Sequence, residues 1–210
     1  MYHYATKEDT KKYNEYCSNK LNQLKQILAR ESIDIRVELI GSGAKNLVTQ
    51  NGKAPFDLDY NIIIESMPWE YECDLKKLKN LIRTELDKII GCYGKDSTSA
   101  ITYNLHYPDK SKVKFKFDVG IIKQNRNRNY CRLINDKTNL FLNIEHYIWN
   151  EIPKSYNIDD KISRIKHNGY WLDVRELYLD KKNLYLSRQD KSHPSFIVYV
   201  ETINEVYNMI

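Results

Sequence analysis

The 210-residue sequence lacks the features that mark several classes of protein. It has no run of about 18–20 apolar residues, so no transmembrane helix is predicted. The first residues carry no apolar stretch of the kind that a secretory signal contains, and we therefore expect a cytoplasmic protein. The four cysteines are scattered without a CxxC pair, and the five histidines show no ligand spacing. These absences argue against a zinc site and against a disulfide framework.

What the sequence does contain is enough apolar material for a core and a small excess of positive charge. Hydrophobic residues make up 41% of the chain, which excludes global disorder. The formal net charge is +5, with a pI of about 8.8. This mildly basic balance is compatible with a polyanionic partner such as RNA and does not by itself require one.

The pattern of apolar residues predicts an α+β protein, with a mixed sheet that has helices on one face. The predicted elements are a helix over residues 6–30, a strand over 35–40, a short helix over 44–49, a strand over 56–64, a helix that Asp74 caps and that ends near Gly91, and a hairpin of strands 99–107 and 112–122 with its turn at 108–111. Beyond about residue 125 only helices are predicted, around residues 140–149, 158–184 (broken near Gly169) and 196–207. We therefore expect a catalytic core over residues 1–125 and a helical subdomain over residues 126–210.

Two aspartates stand on one face of the strand at residues 56–64. Side chains alternate along a strand, so Asp57 and Asp59 share a face with Asn61, while the apolar residues share the other face. Carboxylates this close raise each other's pKa unless a cation neutralises them. Oxygen ligands of this kind suit Mg²⁺, particularly when substrate phosphates complete the coordination. The pair therefore predicts a metal site.

A third aspartate lies on the last strand of the predicted hairpin. The residues around Asp118 alternate, with apolar side chains at odd positions and Lys114, Lys116 and Asp118 at even ones. If this strand neighbours the one at residues 56–64, Asp118 joins the pair around two metal ions. Such ions activate an attacking hydroxyl and stabilise a leaving pyrophosphate.

The step Gly41-Ser42 predicts a place for a triphosphate. It follows a strand and opens a predicted helix, whose N–H groups and positive dipole end favour phosphate oxygens. Glycine lets the backbone approach closely, and the serine hydroxyl can donate to phosphate. Lys45 and Lys53, in the loop that follows, either reach phosphate or are solvated.

Taken together, Ile40-Gly41-Ser42, Asp57-Leu58-Asp59 and Asp118 resemble the motif of the DNA polymerase beta-type nucleotidyltransferase superfamily. The resemblance covers about residues 35–122. It implies that Asp57 and Asp59 bind both metal ions, that Asp118 binds the catalytic one and helps to activate the acceptor hydroxyl, and that Gly41 and Ser42 bind the β and γ phosphates. The loop between Ser42 and Asp57 is longer than in compact members, and the helical tail matches no subfamily.

Several basic and polar residues near the motif have two interpretations. Lys114 and Lys116 either guide phosphates of an acceptor or protect an exposed edge strand. Asn104 and His106 belong to the polar face of the strand before and either touch substrate or are solvated. The arginines at 126 and 128 follow the Asp118 strand and either contact phosphate or form a solvated turn.

In the C-terminal part, Arg175 and Tyr178 are candidate nucleotide contacts. They are at helical spacing, and arginine and aromatic side chains stack on bases. The alternative is aromatic packing within a helical subdomain, which is the role expected for Trp171.

The sequence therefore predicts an enzyme that transfers a nucleoside monophosphate from a nucleoside triphosphate to an acceptor hydroxyl and releases pyrophosphate, with Mg²⁺ or Mn²⁺. The basic balance favours RNA or another nucleotide as acceptor. Small-molecule and protein hydroxyls stay open, and so do two rival classes: a non-catalytic nucleotide- or RNA-binding module of the same fold, and a two-metal nuclease. No sequence feature predicts an oligomeric state.

Overall fold

The computed structural model describes residues 1–106, 114–136, 146–153, 158–190 and 192–210. The strands are β1 Tyr2–Tyr4, β2 Asp34–Ile40, β3 Thr49–Asn51, β4 Phe56–Ser66, β5 Lys95–Asp96, β6 Ile101–Leu105, β7 Phe115–Gln124, β8 Tyr130–Asp136 and β9 His146–Glu151. The helices are α1 Lys7–Arg30, α2 Gly41–Ala44, α3 Trp69–Cys73, α4 Leu75–Ile90, α5 Ile158–His167, α6 Trp171–Ser187 and α7 Ser195–Asn208. In these described parts, no helix combines the length and the apolar composition that crossing a membrane requires.

The chain forms two compact units whose boundaries differ from the predicted one at residue 125. The sheet unit comprises Thr6–Val48 and Pro55–Ile152, and the helical unit comprises Met1–Ala5, Thr49–Ala54 and Pro153–Ile210. The sheet unit extends to Ile152 because β8 and β9 add to its sheet. The first five residues leave the predicted core because they pair with β3 in the helical unit.

Within the described residues, the sheet unit contains a mixed sheet of seven strands. Five of them lie in the order β2-β4-β7-β6-β5, and β8 and β9 extend the sheet from β7. The β4–β7 pair is parallel, and β2–β4, β6–β7 and β5–β6 are antiparallel. Strand β8 pairs with the last residues of β7, beyond the stretch that β6 covers, and β9 pairs with β8. Strand β7 therefore lies in the interior of the sheet.

The apolar face of β4 and β7 packs against helices, as the alternation predicts. The Tyr13 ring of α1 lies 4.3 Å from the Phe115 ring and 5.7 Å from the Phe56 ring. The buried residues of α1 recur at helical spacing (Tyr13, Cys17, Leu21, Leu24, Leu28), and those of α4 do the same. On β4, Leu58, Tyr60, Ile62 and Ile64 are buried on the helix side. Asp57 and Asp59 consequently project from the opposite face, which is called the acid face below.

Helices α1 and α4 both begin with a side-chain cap, and the cap of α4 is the predicted one. Thr6 accepts a hydrogen bond from the Asp9 N–H at the start of α1, and Asp74 accepts one from the Lys77 N–H at the start of α4. Helix α4 ends at Gly91, whose φ of +82° is the left-handed conformation that glycine adopts without strain. A buried lysine, Lys79, holds α4 to the sheet through its ammonium, which contacts Asp96 at 2.5 Å.

Two predicted helices were wrong, and several strands were not predicted. The short helix occupies Gly41–Ala44 and not residues 44–49, so Gly41 and Ser42 lie in its first turn. Residues 146–149 form part of β9 and not of a helix, because they pair with β8; the rest of that predicted helix, 140–145, lies outside the described residues. Strand β8 was missed altogether. The predicted hairpin exists as β6 and β7, and its turn at 108–111 lies outside the described residues.

The helical unit consists of α5, α6 and α7 with the β1–β3 ribbon. Gly169, with φ +82°, separates α5 from α6, as predicted. The ribbon is fixed to α6 by Asn183, which accepts from the Tyr2 N–H at 2.6 Å and donates to the Tyr2 carbonyl at 3.1 Å. Lys182 adds a hydrogen bond to Thr49 at 2.8 Å.

Candidate active site

Asp59 and Asp118 face each other across two neighbouring parallel strands. They are register partners in the β4–β7 pair, so both side chains project from the acid face at the same height. This adjacency is the condition that the sequence alone could not establish. It brings the third acid of the motif to the first two.

The buried carboxylate of Asp118 lacks a hydrogen-bond partner for one of its oxygens. Oδ1 of Asp118 is buried without a hydrogen-bond partner, and Thr102 is the register partner of Asp118 on β6. Burial raises the pKa of Asp118, partly offset by the Thr102 hydrogen bond. A buried carboxylate oxygen without a partner is costly, and a divalent cation would satisfy it.

The pKa of Asp59 is raised more than that of Asp118. Burial raises the pKa of Asp59 to about 6, and the negative charges of Asp118 and Asp57 contribute in the same direction. Arg132 and Lys45 oppose this shift with their positive charges. A hard cation between the carboxylates would relieve both the desolvation and the repulsion, so the residues present fit a Mg²⁺ or Mn²⁺ ion.

The turn at Gly41 lies directly against Asp59. A Cβ at position 41 would stand 2.6 Å from the Asp59 Oδ2 atom, and the φ of Gly41 is +62°. Both facts require glycine there, because a side chain would collide with the acid and the backbone would be strained. Ser42 follows in the first turn of α2, and the Lys45 ammonium contacts the Gly41 carbonyl at 3.2 Å. The structure thus brings Gly41 and Lys45 close to Asp59, and the binding of a triphosphate by Gly41, Ser42 and Lys45 stays a prediction.

Asp57 has a different partner. Its side chain, 52% exposed, lies 3.5 Å from the ammonium of Lys116, its register partner on β7. As the side chains stand, no three acidic, histidine or cysteine residues of the described chain gather closely enough to share a metal ion. Asp57 would have to part from Lys116 to join Asp59 and Asp118 at one ion.

Arg132 is a residue of the acid face that was not predicted, and it contacts Asn61, which was placed on that face but given no role. Arg132 lies on β8, which was not predicted, and its Nη2 is 3.5 Å from the Asn61 Oδ1. Its Nε is buried without a hydrogen-bond partner, and burial lowers the pKa of Arg132, with Asp59 opposing that shift. Gly120 leaves the space between them, since a Cβ there would be 2.9 Å from the Asn61 Oδ1. The alternation of buried Cys131 and Leu133 around Arg132 was the signal that could have revealed this strand.

The predicted nucleotide contacts of the C-terminal part lie in the helical unit. Arg175 stacks over the Tyr4 ring, with its guanidinium carbon 4.0 Å from the ring centroid. Tyr178 is only 3% exposed, so its ring packs the helical unit and is not presented for stacking on a base. Arg175 stays a prediction as a nucleotide contact. Lys53 also belongs to the helical unit and is exposed there.

The remaining basic candidates differ in their distance from Asp118. The arginines at 126 and 128 are exposed in the turn between β7 and β8. They lie eight and ten residues beyond Asp118, and the strand between covers roughly 20 Å at about 3.3 Å per residue. Lys116, in contrast, is two residues from Asp118 on an interior strand, so the edge-protection interpretation does not apply to it.

No protein-family model and no curated protein sequence matches this chain. Similarity is found in solved structures. The chain superposes on E. coli MS115-1 CdnC with ATP at a TM-score of 0.58 and 16% identity, covering 96% of this chain and 59% of CdnC. For Vibrio cholerae DncV cyclic AMP-GMP synthase with a linear intermediate, the TM-score is 0.57 at 15% identity, covering 83% of this chain and 47% of DncV.

A third structure, Elizabethkingia meningoseptica CdnE cyclic dinucleotide synthase with GTP and Apcpp, gives a TM-score of 0.54 at 16% identity, covering 91% of this chain and 69% of CdnE. The chain thus spans about three fifths of CdnC and about half of DncV. At these identities the likeness establishes the architecture, in agreement with the motif. The chain therefore has the polymerase-beta-type nucleotidyltransferase fold of these structures.

Proposed function

We propose that this protein is a metal-dependent nucleotidyltransferase, which moves a nucleoside monophosphate from a nucleoside triphosphate to an acceptor hydroxyl and releases pyrophosphate. The observation that carries the proposal is the juxtaposition of Asp59 and Asp118 at one register position, with the Gly41 turn against Asp59. Carboxylates bind a divalent cation, and the backbone N–H groups of a neighbouring glycine-serine turn bind phosphate oxygens, so together they suit a metal–triphosphate complex.

Each residue has a distinct part in this reaction. Asp57, Asp59 and Asp118 would hold Mg²⁺ or Mn²⁺, which supplies charge neutralisation at the reacting phosphate and lowers the pKa of the acceptor hydroxyl. Asp118, whose Oδ1 has no hydrogen-bond partner, would bind the catalytic ion and help to activate that hydroxyl. The N–H groups of the first turn of α2 and the Ser42 hydroxyl would bind the β and γ phosphates.

The acceptor that we favour is a nucleotide or RNA. The CdnC structure contains ATP, the CdnE structure contains GTP and Apcpp, and the DncV structure contains a linear intermediate of two nucleotides. These ligands support a second nucleotide as the acceptor. The basic balance of the chain supports RNA equally well. Small-molecule and protein hydroxyls are outcomes of the same test.

Two rival functions are less well supported by the site. A non-catalytic binding module would have no need of the buried, unpartnered Asp118 oxygen and the raised Asp59 pKa, since both destabilise the fold. A two-metal nuclease would use the carboxylates but would not need the Gly41 turn pressed against them.

The test is incubation of the full chain with each α-labelled nucleoside triphosphate and Mg²⁺ or Mn²⁺, with and without cell RNA. A labelled small product without RNA identifies a nucleotide acceptor, whereas label on the RNA identifies RNA. Asp118→Asn, which keeps the size of the side chain, should reduce transfer by at least about 100-fold while the circular dichroism spectrum is unchanged. RNA cleavage without transfer would establish the nuclease, and nucleotide binding without turnover the binding module.

A further inference from the structure

The stability and pairing of the sheet do not explain why a lysine stands at position 116. It lies on the acid face of β7, two residues before Asp118, between its register partners Asp57 on β4 and Asn104 on β6. Lysines protect sheet edges from pairing with another strand, but β7 is paired on both sides. The Lys116 side chain is 41% exposed and its main partner, Asp57, is 52% exposed, so this ion pair contributes little to folding.

The charge of Lys116 is instead directed at the acids. Its ammonium lies 3.5 Å from Asp57 Oδ1, and its positive charge also lowers the pKa of Asp118 against the dominant effect of burial. Lys116 thus partly neutralises two of the three carboxylates that would hold a divalent cation. An ion that bound Asp57 would compete with the ammonium for the same carboxylate and would repel it.

The displaced ammonium would have a new partner close by. A nucleoside triphosphate bound with its cation brings several negative oxygens to the same face, and ammonium–phosphate hydrogen bonds are among the strong ones. Because the Lys116–Asp57 pair is exposed, parting the two costs little, and the flexible side chain of lysine reaches a neighbouring group without backbone movement.

We propose that Lys116 is a substrate-binding residue that exchanges partners: it pairs with Asp57 in the metal-free site and binds a phosphate oxygen of the nucleoside triphosphate once a divalent cation takes Asp57. This inference rests on the proposed function. It assigns to Lys116 two roles with opposite consequences, as a competitor of the metal ion when nucleotide is absent and as a ligand of the nucleotide when it is present.

The exchange predicts effects of opposite sign for Lys116→Gln. Without nucleotide, removal of the competing charge should tighten Mn²⁺ binding by about three- to tenfold. With Mg²⁺ present, loss of the charge-assisted hydrogen bond should weaken the binding of a triphosphate analogue with a methylene bridge between the α and β phosphates by about tenfold or more. A lysine that only decorates the surface would change neither constant.

The experiment measures both constants on the full chain. Free Mn²⁺ is followed by electron paramagnetic resonance in a titration without nucleotide, and the analogue is titrated by calorimetry at saturating Mg²⁺. Lys116→Arg, which keeps the charge, should retain the Mn²⁺ affinity of the wild type and most of its affinity for the analogue. The matched control is Lys25→Gln, which makes the same charge change at an exposed residue of α1, the helix on the opposite face of the sheet. This control should change neither constant.

The outcomes separate this inference from the proposed function. If the wild type does not bind the analogue, the proposed function is wrong, and the Mn²⁺ titration still reports on the Lys116–Asp57 pair. If the wild type binds the analogue and Lys116→Gln binds it equally well, nucleotide binding stands and the role of Lys116 is refuted. Unchanged or weaker Mn²⁺ binding by Lys116→Gln refutes the exchange.

Discussion

Replacing Asp59 by asparagine should stabilise the metal-free protein while it destroys the metal site. Burial raises the pKa of Asp59 from 3.8 to about 6, so the folded state holds its proton more tightly than the unfolded state does. Stability is therefore lost as the pH rises from about 3.8 to about 6, and the loss is complete above that window. Asparagine has the same shape and no charge, so it avoids this loss.

The magnitude follows from the size of the shift. About two pKa units at 1.36 kcal/mol each correspond to about 3 kcal/mol, and discounting for partial exposure leaves about 1–3 kcal/mol. For a chain of this size that is an increase in melting temperature of about 2–10 °C. Near pH 5, where the folded carboxyl is mostly protonated and the unfolded one mostly ionised, the gain should fall to roughly half.

The assay is thermal unfolding followed by circular dichroism in the presence of a chelator, at about pH 8 and about pH 5. Asp57→Asn is the matched control: its side chain is exposed beside Lys116 and its charge is the smallest of the causes that raise the Asp59 pKa, so its replacement should raise the melting temperature less than Asp59→Asn does. Addition of Mg²⁺ should stabilise the wild type and leave Asp59→Asn unchanged. An Asp59→Asn protein that melts at or below the wild-type temperature at pH 8 would show that burial and repulsion at this carboxylate do not destabilise the fold.

Further predictions concern the turn, the core and the acceptor. Gly41→Ala should abolish transfer and lower the free energy of unfolding by about 1 kcal/mol or more, because the new Cβ meets a carboxylate at 2.6 Å and the backbone has φ +62°; activity at the wild-type level would contradict this. Ser42→Ala should weaken binding of a triphosphate analogue by about 1.5–3 kcal/mol in calorimetry, and unchanged affinity would mean that the phosphates bind elsewhere. Lys79→Ala should cost about 1–3 kcal/mol in urea unfolding because it leaves the partly buried carboxylate of Asp96 without its partner, and an unchanged free energy of unfolding would show that the pair is dispensable. If the acceptor is RNA, neutralising Lys114 and Lys116 together should flatten the salt dependence of RNA binding by about one unit for each phosphate that the variant no longer binds, whereas parallel slopes would favour another acceptor.

The elements predicted from the sequence are those in which local signals and tertiary packing agree. Helices α1 and α4 have capping residues at their first turns and apolar residues at helical spacing, and the fold uses both signals unchanged. Strands β4 and β7 alternate strictly through Phe56–Tyr60 and Phe115–Val119, which fixes the face of each aspartate before any partner strand is known. Because a two-residue period leaves no other choice, the composition of the acid face follows from the sequence.

The strands that were missed depend on how other parts of the chain are paired. Strands β8 and β9 continue the sheet at the last residues of β7, beyond the stretch that β6 covers, and the alternation around Arg132 does not show which residues of β7 are open to pairing. The β1–β3 ribbon joins residues some fifty positions apart and is fixed by Asn183 of a much later helix. Both cases led to domain boundaries that differ from those of the structure.

Which residue types share the acid face can be read from the amino-acid order, because strand alternation is a local property of the backbone. That β4 and β7 are parallel neighbours, in a register that sets Asp59 opposite Asp118 and Asp57 opposite Lys116, depends on the folded sheet. Strand order and register arise from how the whole sheet buries its apolar face, and a shift of one residue would have sent every acid to the other side. The same pairing places Lys116 on an interior strand beside the acids and not on an edge strand. Whether a strand is interior depends on its neighbours and not on its own residues.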